Sequence, residues 1–190
     1  MTDSRPSAIR HPPSAIFLVG FMGCGKTTVG RLLAEQLGRR FIDLDDWIVQ
    51  RAGKSIARIF AEDGEEHFRR LESELLREVV KEPDAVISLG GGAFVSEANR
   101  RVVKECGVSV WLDCSLDVIL KRLEGASDRP LNTSPERLRD LLESRLPSYS
   151  QVDVRIDANQ AAPTNLVEEI ITQLRRAIDY HMMIGEVNES

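Results

Sequence analysis

A basic excess is missing from this 190-residue chain, which carries 25 Lys and Arg against 30 Asp and Glu, for a formal net charge of −5 and a pI near 5.3. A general nucleic-acid binder would usually be basic, so nucleic acid is not an expected partner, and any anionic ligand must be drawn by a local cluster of Lys and Arg. Cysteine is scarce. Cys24, Cys106 and Cys114 form no C-x-x-C pair, so neither a disulfide framework nor a zinc site is indicated. His11, His67 and His181 are too scattered to suggest a metal centre. No apolar run approaches the ~20 residues of a membrane span, and the opening "MTDSRPSAIRHPPSA" lacks the apolar core of a secretion signal. A cytoplasmic location without a membrane partner is the resulting expectation. There is no internal repeat and no linker that divides the chain. The DxxG and NKxD segments that a GTPase needs are both absent, which removes a nucleotide switch from consideration.

What is present is an ordinary mixture, 42% hydrophobic and 29% charged, long enough for one domain with a real core. That domain is expected over residues 14–180, between loose tails at 1–13 and 181–190. Short apolar runs at 15–20, 40–44, 85–89, 108–112 and 152–156 read as strands. Helical patterns lie between them, at about 26–37, 45–51, 55–62, 65–81, 97–106, 115–124 and 135–148, with a last one near 163–180. Strands alternating with helices predict an α/β fold, a parallel sheet covered on both faces with its ligand at the carboxyl ends of the strands.

The stretch "GFMGCGKTTVG" follows the first strand and opens the first helix. Its spacing, Gly20 then Gly25-Lys26-Thr27, is that of a P-loop. Gly20, Gly23 and Gly25 free the backbone to turn successive N–H groups inward, and the helix start adds unpaired amides and a positive dipole end. Lys26 should reach the β- and γ-phosphates of a nucleotide such as ATP, with Gly23, Cys24, Gly25 and Thr28 around them, and the Thr27 hydroxyl should bind Mg²⁺. A glycine-rich turn with no ligand is the bland alternative. Cys24 reads as a small residue at a variable position whose thiol would be open to alkylation.

The acidic and basic candidates come from elsewhere. "AVISL" runs into Gly90, Gly91 and Gly92, which offer backbone rather than charge, whereas "FIDLDD" supplies Asp43 and Asp45. In an extended segment alternate side chains share a face, so one carboxylate could serve the metal and the other an acceptor hydroxyl. Helix capping by Asp45 or Asp46 is the alternative. At about 100° per residue, the helix from 135 places Leu138, Leu141, Leu142, Leu146 and Tyr149 on one face with Arg145 among them. On the helix near 65–81, Arg69 lies at the edge of the stripe formed by Phe68, Leu71, Leu75, Leu76, Val79 and Val80, and Arg70 points away. A charge on an inward face needs an anionic partner. Two guanidinium forks would suit a substrate carboxylate, and a salt bridge to a protein carboxylate is the competing reading for each. The polar stretch "RLEGASDRPLNTSPERL" reads as a lid over about 123–134. It carries Arg129, with Arg122 just before it. An arginine brought in by a lid can contribute ~10³–10⁵ in rate to phosphoryl transfer.

Together "GFMGCGKTTVGRLLA", "FIDLDDWI", "IFAEDGEEHFRRLE", "SLGGGA", "RPL" and "RLPSY", in this order, resemble shikimate kinases over about residues 14–175. The resemblance implies a five-stranded parallel sheet of the nucleoside-monophosphate-kinase type and transfer of the ATP γ-phosphate to the 3-hydroxyl of shikimate, in aromatic amino acid biosynthesis. It implies that Lys26 binds phosphate, Thr27 holds Mg²⁺ and Asp43 assists the metal through water. Asp45 would orient and deprotonate the acceptor hydroxyl. Arg69 and Arg145 would clamp the shikimate carboxylate, Gly90 to Gly92 would contact substrate through backbone, and Arg129 would be the lid arginine. Arg122 would lie against the adenine, with Pro163 beneath it. Relatives often carry a basic residue in that loop, where this chain has Gln160 and Ala161. Such enzymes are usually monomeric. Two rivals remain at this level: another small-molecule P-loop kinase, such as one acting on gluconate, and a kinase-like binding protein without catalysis.

Overall fold

The computed structural model describes residues 15–82, 84–124 and 134–187, with side chains up to residue 176. Five parallel strands form one sheet. They are β1 (Ala15–Val19), β2 (Arg40–Asp43), β3 (Ala85–Ser88), β4 (Gly107–Asp113) and β5 (Val154–Asp157), in the order β2-β3-β1-β4-β5. The order follows from composition. β1 and β3 are buried along their whole length, as continuous apolar strands in the middle of a covered parallel sheet must be, while β2 and β5 alternate between buried and exposed positions and take the edges. Between the strands run α1 (Lys26–Leu37), α2 (Leu44–Ala52), α3 (Ile56–Glu62), α4 (Gly64–Val79), α5 (Glu97–Cys106), α6 (Leu116–Glu124), α7 (Pro135–Tyr149) and α8 (Pro163–Val187). Among the described residues no helix is long and apolar enough to cross a membrane.

The predicted elements are all found, with shifts at their ends. β2 stops at Asp43 because the chain turns there into α2, whose first residue is Leu44. β5 starts two residues later than expected, since the Asp153 side chain leaves the strand pattern to accept from the Ser109 backbone N–H at 2.8 Å and its hydroxyl at 2.6 Å. A short 3₁₀ turn, Ala93–Val95, follows the triple glycine. The backbone of α8 remains helical to Val187, past the end expected near 180 and through most of the stretch read as a loose tail. One close approach sets the spacing of the site. A Cβ on Gly30 would stand 2.4 Å from the Phe41 ring, so α1 lies against β2 closer than any side chain at position 30 allows.

Candidate active site

Because β2, β3 and β1 are neighbours, the segments that leave their carboxyl ends meet: Asp43 and α2, the triple glycine, and the P-loop. A cleft of about 690 Å³ opens there, lined among others by Gly23 to Thr28, Asp43, Asp45, Ser88, Gly91, Arg122 and Pro163. Gly23 and Gly25 have φ of 77° and 97°, in the left-handed region where a side chain is strained. Gly25 is the N-cap of α1 and makes no side-chain cap bond, which leaves the helix amides directed at the cleft. Lys26 Nζ donates to the carbonyls of Gly20 at 2.9 Å and Phe21 at 3.0 Å. Thr27 and Thr28 are exposed at the cleft, and the Thr27 hydroxyl donates to Asp43 Oδ2 at 2.8 Å. Cys24 differs from the expectation of an open thiol. Its side chain is buried and faces the space beside Gly20, and its carbonyl accepts from Arg122 at 3.1 Å.

The two aspartates do not share one extended segment. Asp43 ends β2, and Asp45 stands in the first turn of α2. Capping falls to Asp43, whose Oδ1 accepts from the Asp45 N–H at 3.1 Å, rather than to Asp45 or Asp46. Both carboxylates still line the cleft. Asp45 reaches the triple glycine, since a Cβ on Gly90 would lie 2.6 Å from Asp45 Oδ1.

The end of the cleft at the triple glycine is built from side chains. A Cβ on Gly92 would collide with the Arg69 guanidinium at 2.4 Å, and one on Gly91 would stand 3.0 Å from Arg145 Nη1, so both arginines converge on the triple glycine. Arg69 is tied to the protein itself. Its Nη1 donates to Glu72 at 2.9 Å, and its Nε and Nη2 donate to Glu65 at 3.4 and 3.3 Å. These bonds among the described residues use three of the five guanidinium N–H groups and leave one on each terminal nitrogen. Arg145 lies 5.3 Å over the Phe21 ring and has no carboxylate within ion-pair distance among the described residues. Arg70 points away, as expected, and pairs with Glu66 at 2.6 Å. On α7, Leu138 and Tyr149 are buried, Leu141 and Leu142 are partly covered, and Leu146 is exposed. The apolar face is therefore narrower than the wheel implied.

Glu72 was missed in the sequence. It is 1% exposed and its Oε1 has no hydrogen-bond partner among the described residues, yet that oxygen would be 2.9 Å from a Cβ on Gly90. Burial pushes its carboxyl above the ordinary glutamate range despite the opposing pull of Arg69. Its position was a usable signal: it falls within the Phe68–Leu75 apolar stripe, three residues after Arg69. Ser88, buried at the end of β3 and lining the cleft, was also missed, and its small polar side chain gave no signal.

On the far side, Arg122 donates to the carbonyls of Cys24 and Ala158 at 3.1 and 3.0 Å. It thereby ties the P-loop to the segment that leads to Pro163, the first residue of α8. Ala161 and Pro163 line the cleft there. Cys114 lies 3.3 Å from Arg122, and burial pushes its thiol up to about 11. Arg129 and most of the expected lid lie outside the described residues. Among the described residues no group of three or more His, Cys, Asp or Glu side chains could hold a metal ion.

Comparison with known proteins gives this arrangement a lineage. The shikimate kinase family model matches residues 22–175. The shikimate kinase of Geobacter sulfurreducens is 46% identical over 163 residues, which is 84% of this chain and 90% of that protein. The solved shikimate kinase from Acinetobacter baumannii in complex with shikimate superposes with a TM-score of 0.81 at 38% identity, covering 86% of this chain and 94% of that one. A gluconokinase from Sinorhizobium meliloti, at 20% identity, a TM-score of 0.63 and coverage of 92% of this chain and 98% of its own, shares the fold alone. The chain belongs to the shikimate kinase family and has the kinase activity, in the shikimate pathway, that defines it.

Proposed function

We propose that this chain passes the γ-phosphate of ATP to the 3-hydroxyl of shikimate with Mg²⁺ in attendance, giving shikimate 3-phosphate and ADP. The observation that carries this reading is the convergence of a phosphate cradle, the Asp45 carboxylate and two guanidinium groups around Gly90, Gly91 and Gly92. The P-loop amides and Lys26 hold the phosphates. Arg69 and Arg145 grip the shikimate carboxylate. The carboxylates around Arg69 do not exhaust its donors, and they hold its fork in place before substrate arrives. Asp45 accepts the hydrogen of the acceptor hydroxyl, orients that oxygen at the γ-phosphorus and takes its proton as the new P–O bond forms. Alignment and charge stabilisation account for most catalysis of this kind. Arg122 and Pro163 flank the adenine.

The donor set fits Mg²⁺, which takes oxygen ligands and often only one or two from protein, with phosphate and water supplying the rest. The Thr27 hydroxyl and the Asp43 carboxylate, bonded to each other at 2.8 Å, are the residues that would hold it, Asp43 through water. The ion supplies neutralisation of the phosphate charge. Every group named belongs to one chain, so a monomer is complete in itself, and the ATP requirement suits a cytoplasmic location.

A coupled ADP-release assay with shikimate and with gluconate tests the reading. Turnover of shikimate at a kcat/KM well above that of gluconate is expected. Faster turnover of gluconate would move the chain to the rival substrate, and no turnover of either would make it a binding protein.

A further inference from the structure

We infer that Tyr149 is a positioning residue for the acid-binding end of the site, its hydroxyl fixing the orientation of the Gly91–Gly92 peptide between the Arg69 and Arg145 guanidinium groups. The inference rests on the reading of that end as a carboxylate clamp.

Tyr149 closes α7 and is fully buried, with its ring 5.8 Å from that of Trp111. Its hydroxyl donates to the Gly91 carbonyl at 2.5 Å. Arg145 stands one helical turn earlier on the same helix. Burial pushes the phenol up to about 12, which keeps that proton in place throughout the working range.

The geometry of the peptide gives this bond a consequence beyond packing. A trans peptide is planar, and its C=O and N–H point in opposite directions. Fixing the Gly91 carbonyl toward Tyr149 therefore turns the Gly92 N–H the other way. A Cβ on Gly92 runs into Arg69, and one on Gly91 stands beside Arg145, so this peptide lies between the two guanidinium groups. Rotation of the peptide would remove a backbone donor from between them. The hydroxyl opposes that rotation. A phenylalanine would fill the same apolar space but leave the peptide free to turn.

The test is Tyr149→Phe. Its Kd for shikimate without nucleotide and its KM for shikimate should rise about tenfold, the size expected for the loss of one buried hydrogen bond that orients a backbone donor. kcat and the KM for ATP should stay within about twofold of wild type. Shikimate methyl ester, which lacks the anionic carboxylate, should inhibit wild type and variant equally. An active variant with unchanged shikimate KM, whatever its Tm, overturns the inference, as does an equal loss of ATP or ester binding. If the wild-type protein does not turn over shikimate, the functional reading falls and carries the inference with it. Should the variant not fold, ¹⁹F NMR of protein labelled with 3-fluorotyrosine decides, because the chain has only two tyrosines, Tyr149 and Tyr180. Shikimate should move the Tyr149 resonance and ADP should not, and a resonance indifferent to shikimate overturns the inference.

Discussion

On the proposed reading, the phosphate end and the acid end of the cleft are built from different materials. The first comes from one contiguous run, Gly20 to Thr28, and would work mainly through main-chain amides. The second is assembled from α2, α4, α7 and the triple glycine, and would work through Asp45, Arg69, Arg145 and the buried Glu72. A cradle made of backbone depends on a few conformations, such as φ of 77° at Gly23 and 97° at Gly25, and little on which side chains surround it. A clamp made of side chains depends on how three helices pack. Damage to the two ends should therefore separate in kinetics, with nucleotide and acceptor parameters moving independently.

The largest effect is expected at Asp45, which lines the cleft beside the triple glycine. Asp45→Asn keeps the fold and the cradle but removes the proton acceptor, so kcat should fall ~10²–10⁴-fold with ATP binding unchanged. Near-normal turnover would take Asp45 out of the chemistry and leave the two ends unconnected. Next comes Arg145→Ala, which should cost about 2–5 kcal/mol of shikimate binding and spare ATP in a titration of each ligand. An equal loss of both affinities would erase the distinction between the ends. The smallest effect is expected from Glu72. Burial raises its carboxyl above the ordinary value of 4.5, so as pH falls it takes up a proton earlier than a free glutamate and releases its hold on Arg69. The shikimate KM of the wild type should rise about two- to fivefold on the acid side, at a pH above that ordinary value. Glu72→Gln should show a KM that is already raised and lacks this inflection. For stability the sign is that of a raised acid. The folded state binds the proton more tightly, so this group favours folding at low pH, and that contribution is lost as pH rises through the folded value.

The unequal legibility of the sequence has the same origin as the unequal construction. Lys26 and Thr27 could be placed at once because a strand, a glycine spacing and a helix start are local features. The order of elements was equally plain, since buried central strands such as "AIFLV" and "AVIS" announce themselves by composition. Arg69 and Arg145 could be put on helix faces by periodicity, but whether each face meets ligand or protein depends on partners distant in the chain. In the fold, Arg69 pairs with Glu65 and Glu72, whereas Arg145 lies over the Phe21 ring. Asp43 and Asp45 were expected to share a face of one extended segment, because nothing local marks the residue at which β2 gives way to α2. Cys24 was expected to be open because its burial is created by the fold of the loop back onto Gly20. Glu72 was passed over because a charge inside an apolar stripe draws attention only when its neighbours in space are known.

Gly30 makes the width of the reaction centre a matter of packing. It lies one helical turn beyond Thr27, and its missing side chain lets the Phe41 ring, two residues before Asp43, rest against the helix backbone. The separation of the hydroxyl of Thr27 and the carboxylate of Asp43 is thus gauged by an aromatic ring seated on bare main chain, outside the cleft itself. A methyl group added at that seat would act as a wedge, prising apart the hydroxyl and the carboxylate while leaving every polar group of the centre chemically intact.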